Sequence, residues 1–487
     1  MKSSDKKLIK INLNGGYISA GDLYEVLLVA ENAGARRVRF GNRQQLYFTT
    51  GDDGQEDLEN EMLRTEIQYE ADSDSYPNIV SSYVADTIFN QEGWLREGVY
   101  KDILDMFDYQ PRLKINLVDN QQTFVPFFSG NINFIASNTC NYWFMYIRFP
   151  KTGKLYCFPS LIYSDDIAST AKMAEEIILE NKEFFYDQVK ADETLFQKML
   201  LKKSKAAFQP ITEALKLPDF YLPYYEGFNK YNNKYWLGIY RRDELFPIDF
   251  LKDLCLLCLQ KRIGQIYTTP WKSIIIKGID PADRYEWGLI LSKYRLNIRH
   301  AANELNWQIE DICEVGLDLK KRLVREFEEA DLRTYQLCFA IKTQPKTGLP
   351  GSIIIKKSAK NSFDLLHTRD FNPNSKDFIV YQQNVAADNL SEHLIALCGE
   401  FYGMQIRANP SQANTTAFEQ PKGVNKTKQV HQCKNCMTIY DEDYGDELNG
   451  INPGTPFDTL NEYLCPTCET GKEEFVCVEK LIVSSLS

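Results

Sequence analysis

The feature that most constrains this chain is a pair of Cys-x-x-Cys knuckles near its C-terminus. They read Cys433-Lys-Asn-Cys436 and Cys465-Pro-Thr-Cys468, with 28 residues between them. Brought together, two such knuckles present four thiolates at the corners of a tetrahedron, and an S4 set of that shape selects zinc or iron. The gap exceeds the roughly 15–20 residues usual between the knuckles of a four-Cys zinc ribbon. The residues that fill it therefore carry the discrimination.

Those residues include Tyr440-Asp441 and the turn Gly450-Ile-Asn-Pro453-Gly454-Thr455-Pro-Phe457, with Phe475 beyond the second knuckle. Knuckles, turn and aromatics in this order resemble the rubredoxins, one-iron electron carriers, over residues 431–480. The resemblance implies one iron cycling between Fe(II) and Fe(III) on Cys433, Cys436, Cys465 and Cys468, with structural zinc as the alternative occupant. Three positions depart from the family. Met437 and Glu469 stand where a Gly usually follows each knuckle, and Tyr463 stands at the usual Trp. Glycine there serves a positive-φ or crowded backbone, whose N–H groups bond the metal-bound sulfurs and tune the potential. The departures put a typical potential in question.

The whole chain has 487 residues, enough for about three domains, and its 44% hydrophobic and 25% charged content is that of a globular protein. It contains no run of eighteen apolar residues, so no membrane span is expected. The N-terminal Met-Lys-Ser-Ser-Asp-Lys-Lys lacks the apolar stretch of a signal peptide. Eight of the twelve Cys lie outside the knuckles, mostly in apolar contexts, which fits reduced thiols in the cytoplasm. Net charge is −11, and eleven acids against three lysines fall within 433–480. An acidic redox module of this kind is steered towards a basic patch on a redox partner protein; nothing points to nucleic acid.

Residues 409–429 are polar and almost free of aliphatics, and read as a flexible linker. They separate a body, 1–408, from a small domain, 430–482. The body shows a faint, ordered duplication, with halves at 1–230 and 231–408. The first copy reads as a strand (8–13), a helix (21–32), Gly34 and a strand (37–48); the second as a strand (235–240), a helix (249–261), Gly264 and a strand (265–276). A repeat this long is a duplicated domain rather than a solenoid. Strand-rich segments follow each copy, at 111–160 and 332–357, with helical periodicity at 165–207 and 390–402. The expected fold class is α+β, built twice, with a metal-bound appendage.

Short motifs in the two copies resemble the ferredoxin-like half-domains of sirohaem nitrite and sulfite reductases. Arg39-Phe-Gly-Asn-Arg43-Gln44 is similar to the Arg-Leu-Thr-Thr-Arg-Gln segment of that family, and Tyr267-Thr-Thr-Pro270-Trp271-Lys272 to its Leu-Thr-Pro-Trp-Gln segment. The family also holds a four-iron cluster on Cys-x5-Cys and Cys-x3-Cys. Here Cys313 is followed by Leu319 and Cys338 by Lys342 at the partner positions, so two of four thiolates are missing and no four-iron cluster is expected. Sirohaem carries eight carboxylates. Arg39, Arg43 and Lys272, with Lys277, Arg148 and Lys342, are the cations that would meet it, or that would form a docking patch.

Elsewhere Cys255-Leu-Leu-Cys258 sits in an apolar helical run and reads as buried structural Cys. No glycine-rich nucleotide loop or nucleophile elbow occurs. The expected function is single-electron transfer, with the body as docking or accessory module for a nitrite- or sulfite-type reductase system. That is a carrier before it is a catalyst. The alternatives are an oxidoreductase whose body binds sirohaem or another tetrapyrrole, and a non-redox zinc-knuckle interaction protein.

Overall fold

The computed structural model describes residues 6–51, 58–90, 93–152, 154–188, 191–344, 348–375, 377–408, 427–446 and 449–481. The chain divides into two compact units, Met1–Gly403 and Met404–Ser487. No helix among the described residues is long and apolar enough to cross a membrane.

In the first unit each predicted long strand is a hairpin. The run 37–48 is two strands, Arg37–Phe40 and Leu46–Thr49, and 265–276 is Gln265–Thr268 and Ile274–Ile279. The two turns are equivalent. Gln44 and Lys272 take the same left-handed place, at φ 62° and 55°. The Gln44 amide donates to the Gly41 carbonyl and the Lys272 amide to the Thr269 carbonyl. The turns Gly41-Asn42-Arg43-Gln44 and Thr269-Pro270-Trp271-Lys272 break the apolar alternation, and their tips are nevertheless buried.

The duplication is present as an exchange. Leu8–Ile11, Arg37–Phe40, Leu46–Thr49 and Tyr69–Ala71 form an antiparallel sheet whose edge is completed by Phe246–Pro247 of the second copy. Reciprocally, Tyr17–Ser19 of the first copy pairs with Gln265–Thr268 in the sheet that holds Gly227–Tyr231, Lys234–Ile239 and Ile274–Ile279. The equivalent helices Ala20–Asn32 and Ile248–Gln260 pack together, and one core takes Leu23, Leu27, Leu251, Leu254, Cys255 and Cys258 from both. Cys255 and Cys258 are thus core side chains. A boundary at 230/231 runs through the strand Gly227–Tyr231, and both halves lie in one compact unit.

Each copy continues into a mixed sheet. The first contains Val80–Ser81, Ile115–Val118, Ile132–Ala136, Tyr142–Ile147, Ser160–Tyr163 and Gln209–Pro210; the second Trp307–Ile309, Phe339–Lys342, Ile353–Ala359, Ser362–Thr368 and Phe378–Ala386. Both begin with two parallel pairings and then turn antiparallel. Helix Glu314–Glu329 packs on the second through Leu317, Leu319, Leu323 and Phe327.

In the second unit Thr427–Cys433 lies between Ile439–Tyr440 and Phe475–Leu481 in a three-stranded antiparallel sheet. The strand begins at Thr427, so 427–429 are strand rather than linker; 409–426 lie outside the described residues.

Candidate metal centre

The two knuckles repeat each other in backbone geometry. The Cys433 amide donates to the Thr438 carbonyl (2.8 Å) and the Met437 amide to the Cys433 carbonyl (2.9 Å). The Cys465 amide donates to the Thr470 carbonyl (2.9 Å) and the Glu469 amide to the Cys465 carbonyl (2.8 Å). Met437 and Glu469, where the family has Gly, hold φ of 62° and 59°. The left-handed turn survives with ordinary side chains.

These turns carry four sulfurs to one point. The Sγ atoms of Cys433, Cys436, Cys465 and Cys468 all lie within 4.8 Å of one another. Cys436 and Cys465 are 3.3 Å apart, Cys433 and Cys468 3.6 Å. A tetrahedron with metal–sulfur bonds of about 2.3 Å has edges of about 3.8 Å, so the set fits one iron or zinc ion. Among the described residues this is the group of metal-ligating side chains found close enough to share an ion. Cys433 and Cys465 are buried, while Cys436 and Cys468 are half-buried. Burial pushes the Cys465 thiol up to about 11. The Thr470 hydroxyl, and then its amide, pull Cys468 down to about 6, and Thr438 lowers Cys436 in the same way.

An aromatic core supports the centre. Tyr440, Phe457, Tyr463 and Phe475 pack with ring centroids 5.3 to 5.7 Å apart. His431 stacks on Phe457 at 4.0 Å. The Tyr440 hydroxyl donates to the Thr455 carbonyl (2.7 Å), and Tyr463, in place of Trp, donates to Asp446 (2.9 Å).

Residues 430–475 match the Rubredoxin family, and the segment is 43% identical over 49 residues to the probable rubredoxin HupI of Bradyrhizobium diazoefficiens, 71% of whose length it covers. The chain belongs to the rubredoxin family. The rubredoxin domain is 10% of the chain in that match. It is also 43% identical over 61 residues to the high molecular weight rubredoxin of Moorella thermoacetica, covering 12% of this chain and 23% of that protein. To the anaerobic nitric oxide reductase flavorubredoxin of Aliivibrio fischeri it is 40% identical over 50 residues, a tenth of each chain. The chain therefore spans from a tenth to 71% of these relatives. Over 80% of its length the chain is similar in fold to the NirA protein of Mycobacterium tuberculosis, with TM-score 0.61, 13% identity and 80% of that chain covered. The body thus shares the fold of NirA.

The candidate cations of the body are already engaged. Arg43 is buried and donates to the Asn78 carbonyl (2.7 Å), the Ile115 carbonyl (2.9 Å) and Asn116 (3.2 Å). Lys272 is buried against Glu244 (2.9 Å) and the Glu310 carbonyl (3.1 Å), and Arg39 pairs with Glu314. Arg43 and Lys272 are buried, and Arg39 is half-buried. Arg43 and Lys114 line a cavity of about 670 Å³, but so do Asp72, Asp74, Glu310 and Asp311. Four carboxylates in the wall do not fit a ligand that itself carries eight. Nor do the residues fit a four-iron cluster. Leu319 is packed in the core of its helix, Cys313 Sγ accepts from the Gly316 amide, and Lys342 sits over the Phe378 ring.

Sequence reasoning missed Thr438, Thr470, Asn435 and Thr467. Their signal is the repeat itself: a threonine stands two places after each knuckle, and a side-chain hydrogen-bonder fills the third place of each.

Proposed function

We propose that this protein is a one-electron carrier. Cys433, Cys436, Cys465 and Cys468 hold a single iron, and the body serves as docking or accessory module for a nitrite- or sulfite-type reductase system. The observation that carries the reading is the convergence of four sulfurs from two matching knuckles within 4.8 Å. Iron bound there supplies a one-electron ferrous/ferric couple with an unchanged ligand set. The chain's part is to hold the sulfurs in place beforehand, through the paired knuckle hydrogen bonds, and to keep water from Cys433 and Cys465 behind the aromatic core. Cys436 and Cys468 form the accessible edge. Met437, next to Cys436 in the chain, is 65% exposed, and offers a redox partner an apolar contact beside the sulfurs. The free thiols outside the knuckles suit a cytoplasmic setting.

Metal analysis and a visible spectrum of the full chain, purified from iron-replete cells, test the carrier. One iron per chain is expected, with charge-transfer bands that bleach on reduction. Stoichiometric zinc and a colourless protein would overturn it. The accessory role is tested by adding the full chain to a purified sirohaem reductase. Turnover with a low-potential donor should rise with the native chain and not with Cys433→Ser; equal turnover would remove that role.

A further inference from the structure

We propose that Thr438 and Thr470 are a pair of potential-setting residues, each presenting its hydroxyl to an outer cysteine sulfur, with Thr470 backed by a donor from the opposite knuckle. The inference rests on the redox-iron reading above. The Thr438 Oγ1 is 3.0 Å from Cys436 Sγ, and the Thr470 Oγ1 is 3.1 Å from Cys468 Sγ. A metal-bound cysteine is a thiolate and can only accept, so both hydroxyls must donate.

A hydroxyl has one proton and two lone pairs, and each threonine meets one side chain of the opposite knuckle. Thr467 Oγ1, in the second knuckle, lies 2.8 Å from Thr438 Oγ1. Asn435 Nδ2, in the first knuckle, lies 3.3 Å from Thr470 Oγ1. Asn435 donates to Thr470, whose proton goes to Cys468; the Thr438 hydroxyl donates to Thr467, so its one proton is shared between that oxygen and Cys436 Sγ. One relay results, Asn435 to Thr470 to Cys468, and at the pseudo-symmetric position Thr438 is a donor shared by Cys436 and Thr467. Hydrogen bonds in series polarise one another, so the relay through Thr470 ends in a stronger donor than a lone hydroxyl. Cys433 and Cys465 have no side-chain hydroxyl donor among the described residues.

The effect on redox chemistry has a definite sign. The reduced centre carries one more negative charge than the oxidised centre, and that charge resides largely on sulfur. A donor aimed at sulfur stabilises the reduced form more, and so raises the potential. Threonine suits the task because its branched side chain is stiff at χ1 and holds the hydroxyl in place with little entropy to lose. The left-handed Met437 and Glu469 just before these residues set the backbone from which the hydroxyls reach back.

The test compares Thr438→Val, Thr470→Val, the double variant, the two Thr→Ser variants and Asn435→Ala in the full chain, by spectroelectrochemical titration with iron content measured alongside. Each valine should keep one iron and shift the oxidised-to-reduced ratio at fixed potential about tenfold towards oxidised, about 59 mV lower for a one-electron couple. The double variant should shift further, serine should restore the native value, and Asn435→Ala should move part of the way. Valine variants with native iron content and native potential would overturn the inference. If the site takes zinc and no iron, the redox reading fails on its own, and the hydroxyl contacts are read in the Co(II)-substituted chain instead. There the sulfur-to-cobalt band should move to lower energy in the valine variants, and an unmoved band would overturn the contacts themselves.

Discussion

Met437 and Glu469 do with ordinary side chains what glycine does without steric conflict. An L-residue in the left-handed region is strained by about 1–2 kcal/mol, while glycine loses about 0.5–1 kcal/mol more than alanine in backbone entropy on folding. Met437→Gly or Glu469→Gly should therefore stabilise the rubredoxin domain by up to about 1 kcal/mol, and Met437→Val should destabilise it. Denaturant titration followed at the visible bands measures both. Lys277 makes a second residue-scale case. Its amine donates to the Tyr83 and Asp86 carbonyls (3.2 and 2.8 Å) and lies 4.3 Å from the centre of the Tyr267 ring. Burial pushes it down to about 7, against the pull of Asp86 and Glu97. Below that pH the amine is charged in both the folded and the unfolded chain. Between about 7 and the ordinary lysine range the unfolded chain binds a proton that the folded chain does not, so stability from this group rises with pH. The native protein should gain thermal stability relative to Lys277→Met from pH 7 to pH 10; a difference independent of pH would show that the amine is not perturbed.

At the scale of elements, the exchange of edge strands ties the two copies together. Ile9 and Ile266 are both fully buried in the shared core, one on Leu8–Ile11 of the first copy and the other on Gln265–Thr268 of the second, beside Ile18 and Ile276. Either residue changed to Ala should cost about 2–5 kcal/mol. Because each copy completes the other's sheet, both variants should lower the same calorimetric transition. Two resolved transitions, each sensitive to one variant, would show that the halves unfold separately. The hairpin tips illustrate what local pattern cannot tell. Gln44 and Lys272 break the strands, yet neither is a glycine or a turn-forming Asn. Gln44 is held by hydrogen bonds from its amide to the Ser81 and Thr268 carbonyls, and Lys272 by Glu244, partners remote in sequence.

For the whole molecule, the division into two units predicts that the metal site can be lost without the body. Cys433→Ser should abolish the visible bands and leave the main thermal transition of the full chain in place; collapse of that transition would mean the units fold as one. The acidic character of the rubredoxin domain sets its encounter with a partner, but not every acid is free to act. Asp441 and Asp443 are paired with Lys428, and Glu442 accepts from the Phe457 amide. Asp458, Glu462 and Glu473 are exposed. Steering by exposed charges fades over a Debye length of about 8 Å at physiological salt. Oxidation of the reduced chain by a cationic cobalt(III) ammine should slow as ionic strength rises. Asp458→Asn, Glu462→Gln and Glu473→Gln together should have the same effect at low salt without changing the spectrum. Rates indifferent to both would make the acidic face a solubilising surface only.

The sequence by itself determined the four sulfurs, the aromatic residues behind them and the duplicated strand–helix–strand order, because each is written in local spacing: two knuckles, one turn and a periodicity. It also exposed the missing thiolates at Leu319 and Lys342, since a ligand set can be counted along the chain. Only the tertiary structure decided what the body's cations do. Arg39, Arg43 and Lys272 carry the same charge in any fold, and it is the fold that gives them Glu314, Glu244 and main-chain carbonyls as partners. The strand exchange and the contacts of Thr438 and Thr470 with the opposite knuckle were likewise decided in three dimensions. Both join residues from different repeats, and a repeat read along the chain shows that two segments are alike, not that each completes the other.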